Sequence, residues 1–514
     1  VSQPPPLPAA LPTGGQDQRL HPWSWLFVLL MQLRHYFLPL VALLVFGQRG
    51  DRDPMWAQLI PLGAIVALVL VSVLQYLSYR YQIGADAITV RSGLLARNRR
   101  EIPFARIHNV EVRQNPLHRL FGVAELRLES AGGVRPEAEM RVLRLDQALA
   151  LEQLVRQRGQ APRAAADDQP QAVATDDDAQ DRVLLRLSSW DVLRMGLLSN
   201  RGWALAVAAF GLLFQTVPRP VMDDAIQRGG RQAFGFVSHL HPGTTGALLL
   251  AASVLLLGWL ALRVLSVALT LLRYHGFTLS ERERRLTVAT GLLSRTRSSV
   301  ARRRIQAWTL RESTLHRWFG LRQLRIDSAA GGPSRDDDRA LRELAPLAPA
   351  ATCDGLVQHL LPQLQWPPPQ WQPVRQRGWW RLALGSLLLV PLLAAVAYWR
   401  WGTFGLAVLA WLPVALLGAH RQMARIGWYL DDHFVAVRGG WWKRWWRWAE
   451  LDKVQALRLR RTPLDKLLGT ASLQLDTAGA HGDVALTLNY LPQAQAQQLM
   501  EQLAHALARR KLRW

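Results

Sequence analysis

The feature that most constrains this 514-residue chain is a pattern that occurs in it three times. Gly93, Ile107, Leu117 and Gly122 return 198 positions later as Gly291, Ile305, Leu315 and Gly320. They return again, 149 positions further on, as Gly440, Val454, Leu464 and Gly469. A constant offset over so many matched residue types means that one folding unit has been copied. Within the first copy, apolar and polar residues alternate over 87–91, 107–112 and 124–128, the period of half-buried strands. Asn115 and Pro116 form a helix N-cap followed by a first-turn proline, and Ser313-Thr314 and Thr462-Pro463 repeat that start. Helical stretches at 147–158, 354–364 and 493–509 close the copies. Each copy is therefore expected to be a small antiparallel β domain capped by a C-terminal helix.

The copies are separated by apolar blocks. Half of the residues are hydrophobic, yet the formal net charge is +24 and the pI about 11.3, so greasy and basic segments must be segregated along the chain. Six blocks approach the roughly 20 apolar residues that a bilayer core of about 30 Å requires: 26–46, 59–77, 202–217, 246–262, 379–398 and 404–419. They pair into three transmembrane hairpins. The first block carries Gln32, Arg34 and His35 near its middle. It reads either as a surface helix leading into a short span or as a tilted span with snorkelling polar groups. Residues 187–198 form a comparable amphipathic stretch before the third block. Arg80, Arg182, Arg273, Arg375 and Arg421 crowd the outer ends of the hairpins, which by the positive-inside rule places both termini and all three β domains in the cytoplasm. The resulting expectation is an α+β membrane protein with six transmembrane helices.

The expected boundaries are a disordered, proline-rich leader over 1–21, a first hairpin over 22–77 and a first β domain over 78–160. An acidic disordered linker over 161–182 leads to the amphipathic helix and second hairpin over 183–272 and the second domain over 273–365. A proline-rich linker with the third hairpin occupies 366–420, and the third domain runs over 421–514. Cys353 is the only cysteine, which rules out an internal disulfide and a cysteine-rich zinc site. There is no P-loop, G-x-G-x-x-G, H-E-x-x-H or G-x-S-x-G pattern, so no catalytic residue, cofactor or metal is expected. His239 and His241 flank Leu240 without a carboxylate-rich partner and read as a surface loop. Asp176–Asp178 and Asp336–Asp338 read as solvated tethers. Nucleic acid is not an expected partner, because arginine beside a bilayer accounts for the charge.

Four columns of the repeat are basic in every copy: Arg97, Arg295 and Arg444; Arg106, Arg304 and Lys453; Arg113, Arg311 and Arg460; Arg119, Arg317 and Lys466. Beside an anionic leaflet each cation adds about 1 kcal/mol of attraction. The competing reading is a solvated strand face or internal ion pairs with residues such as Glu101 and Glu111. The third copy also concentrates Trp441, Trp442, Trp445, Trp446 and Trp448 among three cations. That segment reads equally as a hairpin dipping into the headgroup layer and as aromatic packing within the domain or against another copy.

The turn glycines, the Arg106-Ile107 pair with its counterparts and the Leu117–Gly122 turn resemble the bacterial pleckstrin-homology-like, membrane-flanked domain family, the YdbS/YdbT-like proteins, in its longer three-domain type. The resemblance implies PH-like domains on the bacterial inner (cytoplasmic) membrane. It further implies a non-enzymatic scaffold that binds a protein partner or anionic membrane lipid, a shorter single-domain family member as companion, homo- or hetero-oligomers, and a role in envelope stress or antimicrobial-peptide resistance. A transporter or lipid-handling assembly is the alternative, with Gln32, Arg34, His35 and Gln75 as the polar groups available to line a path.

Overall fold

The computed structural model describes residues 17–27, 29–30, 54–93, 97–130, 138–158, 182–199, 201–216, 220–224, 227–229, 231, 244–328, 342–374, 378–477 and 486–509. The alternating stretches form the expected strands. In the first copy these are β1 (Gln18–Arg19), β2 (Arg80–Ile83), β3 (Ala87–Ser92), β4 (Asn98–Pro103), β5 (Ile107–Gln114), β6 (Val123–Ser130) and β7 (Ala138–Arg144). A 3-10 turn, Phe104–Arg106, joins β4 to β5, and a short helix, Pro116–Leu120, joins β5 to β6. The backbone N–H of Asn115, the cap of that helix, donates to His118 Nδ1 at 3.2 Å, and helix Leu145–Arg158 closes the domain. Strands β1 to β4 form one antiparallel sheet, while β5 to β7 belong to another. Ile88, Ile102 and Phe104 of the first half meet Leu126, Leu128, Met140 and Leu151 of the second in one buried core.

The second copy repeats this plan with β8 (Arg182–Arg186), β9 (Thr278–Arg282), β10 (Arg285–Thr290), β11 (Arg295–Ala301), β12 (Ile305–Glu312), β13 (Leu321–Ser328), β14 (Glu343–Pro349) and helix Ala350–Leu360. The third has β15 (Gln372–Pro373), β16 (Gly427–Leu430), β17 (Phe434–Gly439), β18 (Arg444–Glu450), β19 (Val454–Arg460), β20 (Thr470–Thr477), β21 (Thr487–Pro492) and helix Gln493–Arg509. Gly291 and Gly440 show why the turn column stays glycine. Both have positive φ, and a Cβ would stand 2.0 Å and 1.9 Å from the carbonyl oxygens of Ser294 and Lys443.

The sheets do not end where the copies end. β5 of the first copy pairs antiparallel with β11 of the second, giving one seven-stranded sheet in the order β7-β6-β5-β11-β10-β9-β8. β12 of the second copy pairs with β18 of the third, giving β14-β13-β12-β18-β17-β16-β15. The register is conserved between the two seams: Arg295 faces Gln114 in the first, and their repeat equivalents Arg444 and Glu312 face each other in the second. Cores cross the second seam as well. Phe434, Ala436 and Trp448 of the third copy lie in the core of the second, and Ala307 of the second lies in that of the third.

The apolar helices are inserted between the first and second strand of each copy, after β1, β8 and β15. Gln18 and Arg19, placed above in the leader, pair with Tyr81 and Arg80, and Leu20 is buried in the first core. Residues 182–186 likewise belong to the second domain's sheet rather than to a linker or a surface helix. The amphipathic stretch forms helix Ser189–Leu198, capped by Ser188 and Asp191. Its Val192 and Met195 sit in the second domain's core, so its apolar face is spent on protein, and only Trp190 and Leu197 are large exposed apolar groups on it.

The six expected spans are not borne out as a count. Among the described residues two stretches are long and apolar enough to cross a membrane, Leu248–Tyr274 and Trp380–Arg425. Helix Thr244–Tyr274 extends 12 residues beyond the expected end at 262. Helix Arg201–Thr216 has 16 residues, short of a bilayer core at 1.5 Å per residue, and packs on Thr244–Tyr274 so closely that a Cβ on Gly202 would lie 2.2 Å from the Leu262 carbonyl oxygen. Trp380–Arg425 reverses on itself: helix Trp380–Trp401 ends at Gly402, and the 3-10 segment Gly402–Ala410 and helix Trp411–Arg425 pack back against it. Of the first pair, helix Pro54–Ser78 is described, while most of the block at 26–46 lies outside the described residues, as do the acidic tether at 161–181 and His239 and His241.

Trp448 is fully buried and lies 4.7 Å from Trp366, ring to ring, so removing it opens a cavity shared by two copies. Trp448→Ala is expected to cost about 3–5 kcal/mol. It is also expected to raise amide exchange in β12 of the second copy as well as in β18, measured by hydrogen–deuterium exchange on the detergent-solubilised protein. Loss of protection confined to the third copy would refute a shared core.

Candidate functional site

The four basic columns converge on the seams. Arg304 donates to the Ile107 carbonyl of the first copy at 3.0 Å, and its equivalent Lys453, nearly buried, donates to the Arg303 carbonyl of the second at 2.6 Å. Arg119 reaches the Leu292 carbonyl at 2.7 Å, and Arg113 approaches the Ser294 hydroxyl at 3.5 Å. Arg295 and Arg311 sit in the paired strands opposite Gln114 and Trp445. Arg444 faces Glu312; burial, with Arg317 nearby, pushes its pKa below the ordinary value, and Glu312 opposes that shift. Eight of the twelve columnar cations therefore border one of the two seams. The other four, Arg97 and Arg106 in the first copy and Arg460 and Lys466 in the third, are exposed at the two ends of the array.

The strongest seam contact lies outside those columns. Arg447 is buried, donates to the Thr309 hydroxyl at 2.8 Å and pairs with Asp327 at 2.5 Å. Nothing local in its Trp-rich segment marks it, because its partners come from two strands, β12 and β13, more than a hundred residues away. Of the five tryptophans, Trp448 is core and Trp445 and Trp446 are half-buried against the third and second cores. Arg322 and Arg425 each lie 5.3 Å from the Trp446 ring. Only Trp442 is substantially exposed. Its turn rests on the third apolar hairpin, with Trp441 and Trp442 atoms 3.7 Å from where a Cβ on Gly418 would be. Of that segment, then, the Trp441-Trp442 turn alone lies against the apolar helices and leaves a tryptophan exposed.

A second surface emerges from the short helices. Leu120, Trp318 and Leu467 occupy one column of the repeat, and each is exposed to 77–78%. An apolar side chain left in water in all three copies is not explained by domain stability, since burial is worth about 25 cal/mol per Å2. The first and third short helices neighbour segments that lead into apolar helices, and the second neighbours a turn that rests on one. In the first domain His118 stacks on Phe27 at 4.4 Å and Phe121 lies 5.1 Å from Trp23. Arg119 bonds the Leu292 carbonyl, whose own N–H donates to Leu272 near the end of helix Thr244–Tyr274. Thr314 bonds the Trp442 carbonyl at 2.9 Å. In the third domain Arg381, one residue into helix Trp380–Trp401, pairs with Asp465 at 2.8 Å. Burial opposes the charge of Asp465, but bonds from Thr462, Thr470 and Arg381 hold its carboxyl down at about 2. Leu292, Leu293, Leu315 and Phe319 extend this ledge, and the aligned column that carries it was visible in the sequence.

A cavity of about 610 Å3 lies under the first seam, lined by Ile107, Glu152, Arg284, Arg302, Trp308 and Glu450 among others. Glu281 beside it accepts from Arg302 at 2.8 Å and lies 2.7 Å from His359, so charges at its rim are compensated within the protein. Among the described residues no group of three or more His, Cys, Asp or Glu is placed to hold a metal.

A chain of β domains, each split by an apolar insertion and welded edge to edge to the next, defines a membrane-flanked PH-like array. Residues 28–159, 234–362 and 378–507 each match the Bacterial PH domain family, and the chain belongs to that family. It is similar to the UPF0699 transmembrane protein YdbT of Bacillus subtilis (strain 168), with 21% identity over 429 residues that cover 81% of this chain and 83% of the relative. The UPF0699 transmembrane protein YdbS of the same organism is 27% identical over 81 residues, 15% of this chain and 51% of that protein. No solved structure matches the chain.

Arg447 and Arg106 give contrasting expectations. Arg447→Met leaves the desolvated Asp327 carboxylate without its cation and is expected to lower stability by about 3–5 kcal/mol. Arg106→Ala, on an open end, is expected to stay within about 0.5 kcal/mol of the parent. Thermal unfolding of both variants in the same detergent tests this, and equal losses would contradict the seam assignment.

Proposed function

We propose that the chain is a non-enzymatic scaffold of the bacterial cytoplasmic membrane, whose three cytoplasmic PH-like domains act as one platform lying against anionic headgroups and presenting its ends to a protein partner. The observation that carries this reading is the pair of continuous seven-stranded sheets, which makes three domains one body rather than three independent binding modules. The exposed column of Leu120, Trp318 and Leu467 beside the apolar helices supports contact with the bilayer surface, where aromatic and apolar side chains next to arginine are favoured. The cytoplasmic orientation rests on arginine crowding the outer ends of the apolar blocks. Protection of the envelope against stress or antimicrobial peptides is the process that such a platform would serve.

Cys353 is buried, so a cysteine introduced on the ledge is the reactive one. Nitroxide labels on Leu120→Cys and Trp318→Cys, in protein reconstituted into vesicles containing phosphatidylglycerol, are expected to relax with oxygen more than with a water-soluble nickel chelate. A label on Arg284→Cys, exposed on the β9–β10 turn, is expected to show the reverse. Ledge labels as accessible to the chelate as the control would overturn the proposed membrane contact.

A further inference from the structure

Among the described residues the same joint is used twice, and one half of it is left open at each end. β4 is the last strand of the four-stranded sheet and β19 the last of the three-stranded one. β4 is the repeat equivalent of β11 and β18, while β19 is the equivalent of β5 and β12. Asn98 to Glu101 and Arg458 and Arg460 are exposed. An unpaired edge strand is a template for another chain unless it is blocked. Arg106 carries the same signature. Arg304 and Lys453 of its column each bond a backbone carbonyl of the preceding copy, whereas Arg106 is exposed and has no such partner among the described residues.

The charges decide what can fill the open β4 edge. In the built seams the β5-type strand presents Gln114 and Glu312 opposite Arg295 and Arg444, and Glu111 and Thr309 opposite Ser298 and Arg447. Arg97, immediately before β4, and Arg100 within it stand in those columns. The facing columns are held by Arg461, immediately after β19, and by Arg458 within it. Joined in the conserved register, β4 of one molecule and β19 of another would set Arg97 against Arg461 and Arg100 against Arg458. Like charges directly opposed across strands are destabilising, and repulsion of this kind is how natural edges select partners.

We propose that the β4 edge receives the β5-type edge strand of a separate PH-like domain, one carrying carboxylates opposite Arg97 and Arg100, and that end-to-end joining of two copies of this chain is blocked by its own arginines. This rests on the scaffold reading above but is tested apart from it, because membrane contact of the ledge plays no part in the readout. Asn98 and Arg460 would be directly opposed across such a joint, so the variant carrying Asn98→Cys and Arg460→Cys reports joining as an intermolecular disulfide. The purified full-length protein in detergent is expected to give almost no disulfide-linked multimers. Adding Arg458→Glu and Arg461→Glu converts β19 into an acidic edge and is expected to raise their yield at least tenfold, with the thermal transition of the variant confirming that it is folded. Multimers already abundant with the native arginines would overturn the charge block. A folded charge-reversed protein that still fails to link would overturn β4 as a joining edge. Should the reversed variant not fold, a photocrosslinker at Arg99 in native membranes decides instead. A sequenced adduct containing a different PH-like chain with acidic edge residues upholds the proposal, while an adduct with a second copy of this chain, or no adduct, overturns it.

Discussion

The backbone of an edge strand is the constraint from which the architecture follows. Each copy folds into two half-sheets, and each half-sheet ends in a row of N–H and C=O groups with no partner inside its own domain. A lone small domain has to cover those rows with charge, bulges or solvent. Here β5 satisfies β11 and β12 satisfies β18, so hydrogen bonding that each domain lacks is supplied by its neighbour. Once two edges are joined, the side chains on both faces are fixed in register, and burying Trp448 in the neighbouring core becomes unavoidable. The columnar cations are a consequence of the same joint. Arg119, Arg304 and Lys453 reach carbonyls that the partner copy turns toward them.

The apolar hairpins enter this arrangement at one place in each copy, between the first and second strand. Because β1, β8 and β15 each pair with the strand that follows their hairpin, the two ends of every hairpin are held a few ångströms apart by a sheet. That tie converts the hairpin from a tether into a clamp. The short helices, with Phe27 against His118 in the first domain and Arg381 against Asp465 in the third, add a second fixed point. Two fixed points in the first and third domains orient Leu120 and Leu467 with respect to the apolar helices.

Local pattern made much of this legible. Alternation located β3, β5 and β6, the Asn115-Pro116 start located its helix, and the closing helix at 493–509 matches Gln493–Arg509. The repeat also exposed the basic columns. Their purpose was not legible, because an arginine that donates to a carbonyl in another copy looks, in sequence, like one that faces a phosphate. Pairing between strands well over a hundred residues apart leaves no periodic trace. The tryptophan cluster shows the same limit: five aromatics in eight residues are compatible with a membrane surface, and only the strand register reveals that Trp448 alternates inward while Trp442 sits in a turn. Hydropathy in turn marked the core-facing helix Ser189–Leu198 as a surface element, since burial against protein and burial in lipid select the same side chains.

The two seams share a register but not a chemistry, and the difference specifies the order of the domains. The first is lined on its β11 side by Arg295, Thr296, Arg297, Ser298 and Ser299, and the second on its β18 side by Arg444, Trp445, Trp446, Arg447 and Trp448. Exchanging neighbours would set Trp446 and Trp448 against Val112 and Val110 in place of Leu310 and Trp308, and would bring Arg447 opposite Glu111 in place of Thr309. Conversely, it would face Trp308 of the second copy with Ser299, replacing the tryptophan that now stands opposite it by a serine. Identical joints would allow any copy to pair with any other, within or between molecules. Divergence of the seams, polar in one and aromatic in the other, removes that freedom and leaves one arrangement in which every edge inside the array is both paired and packed.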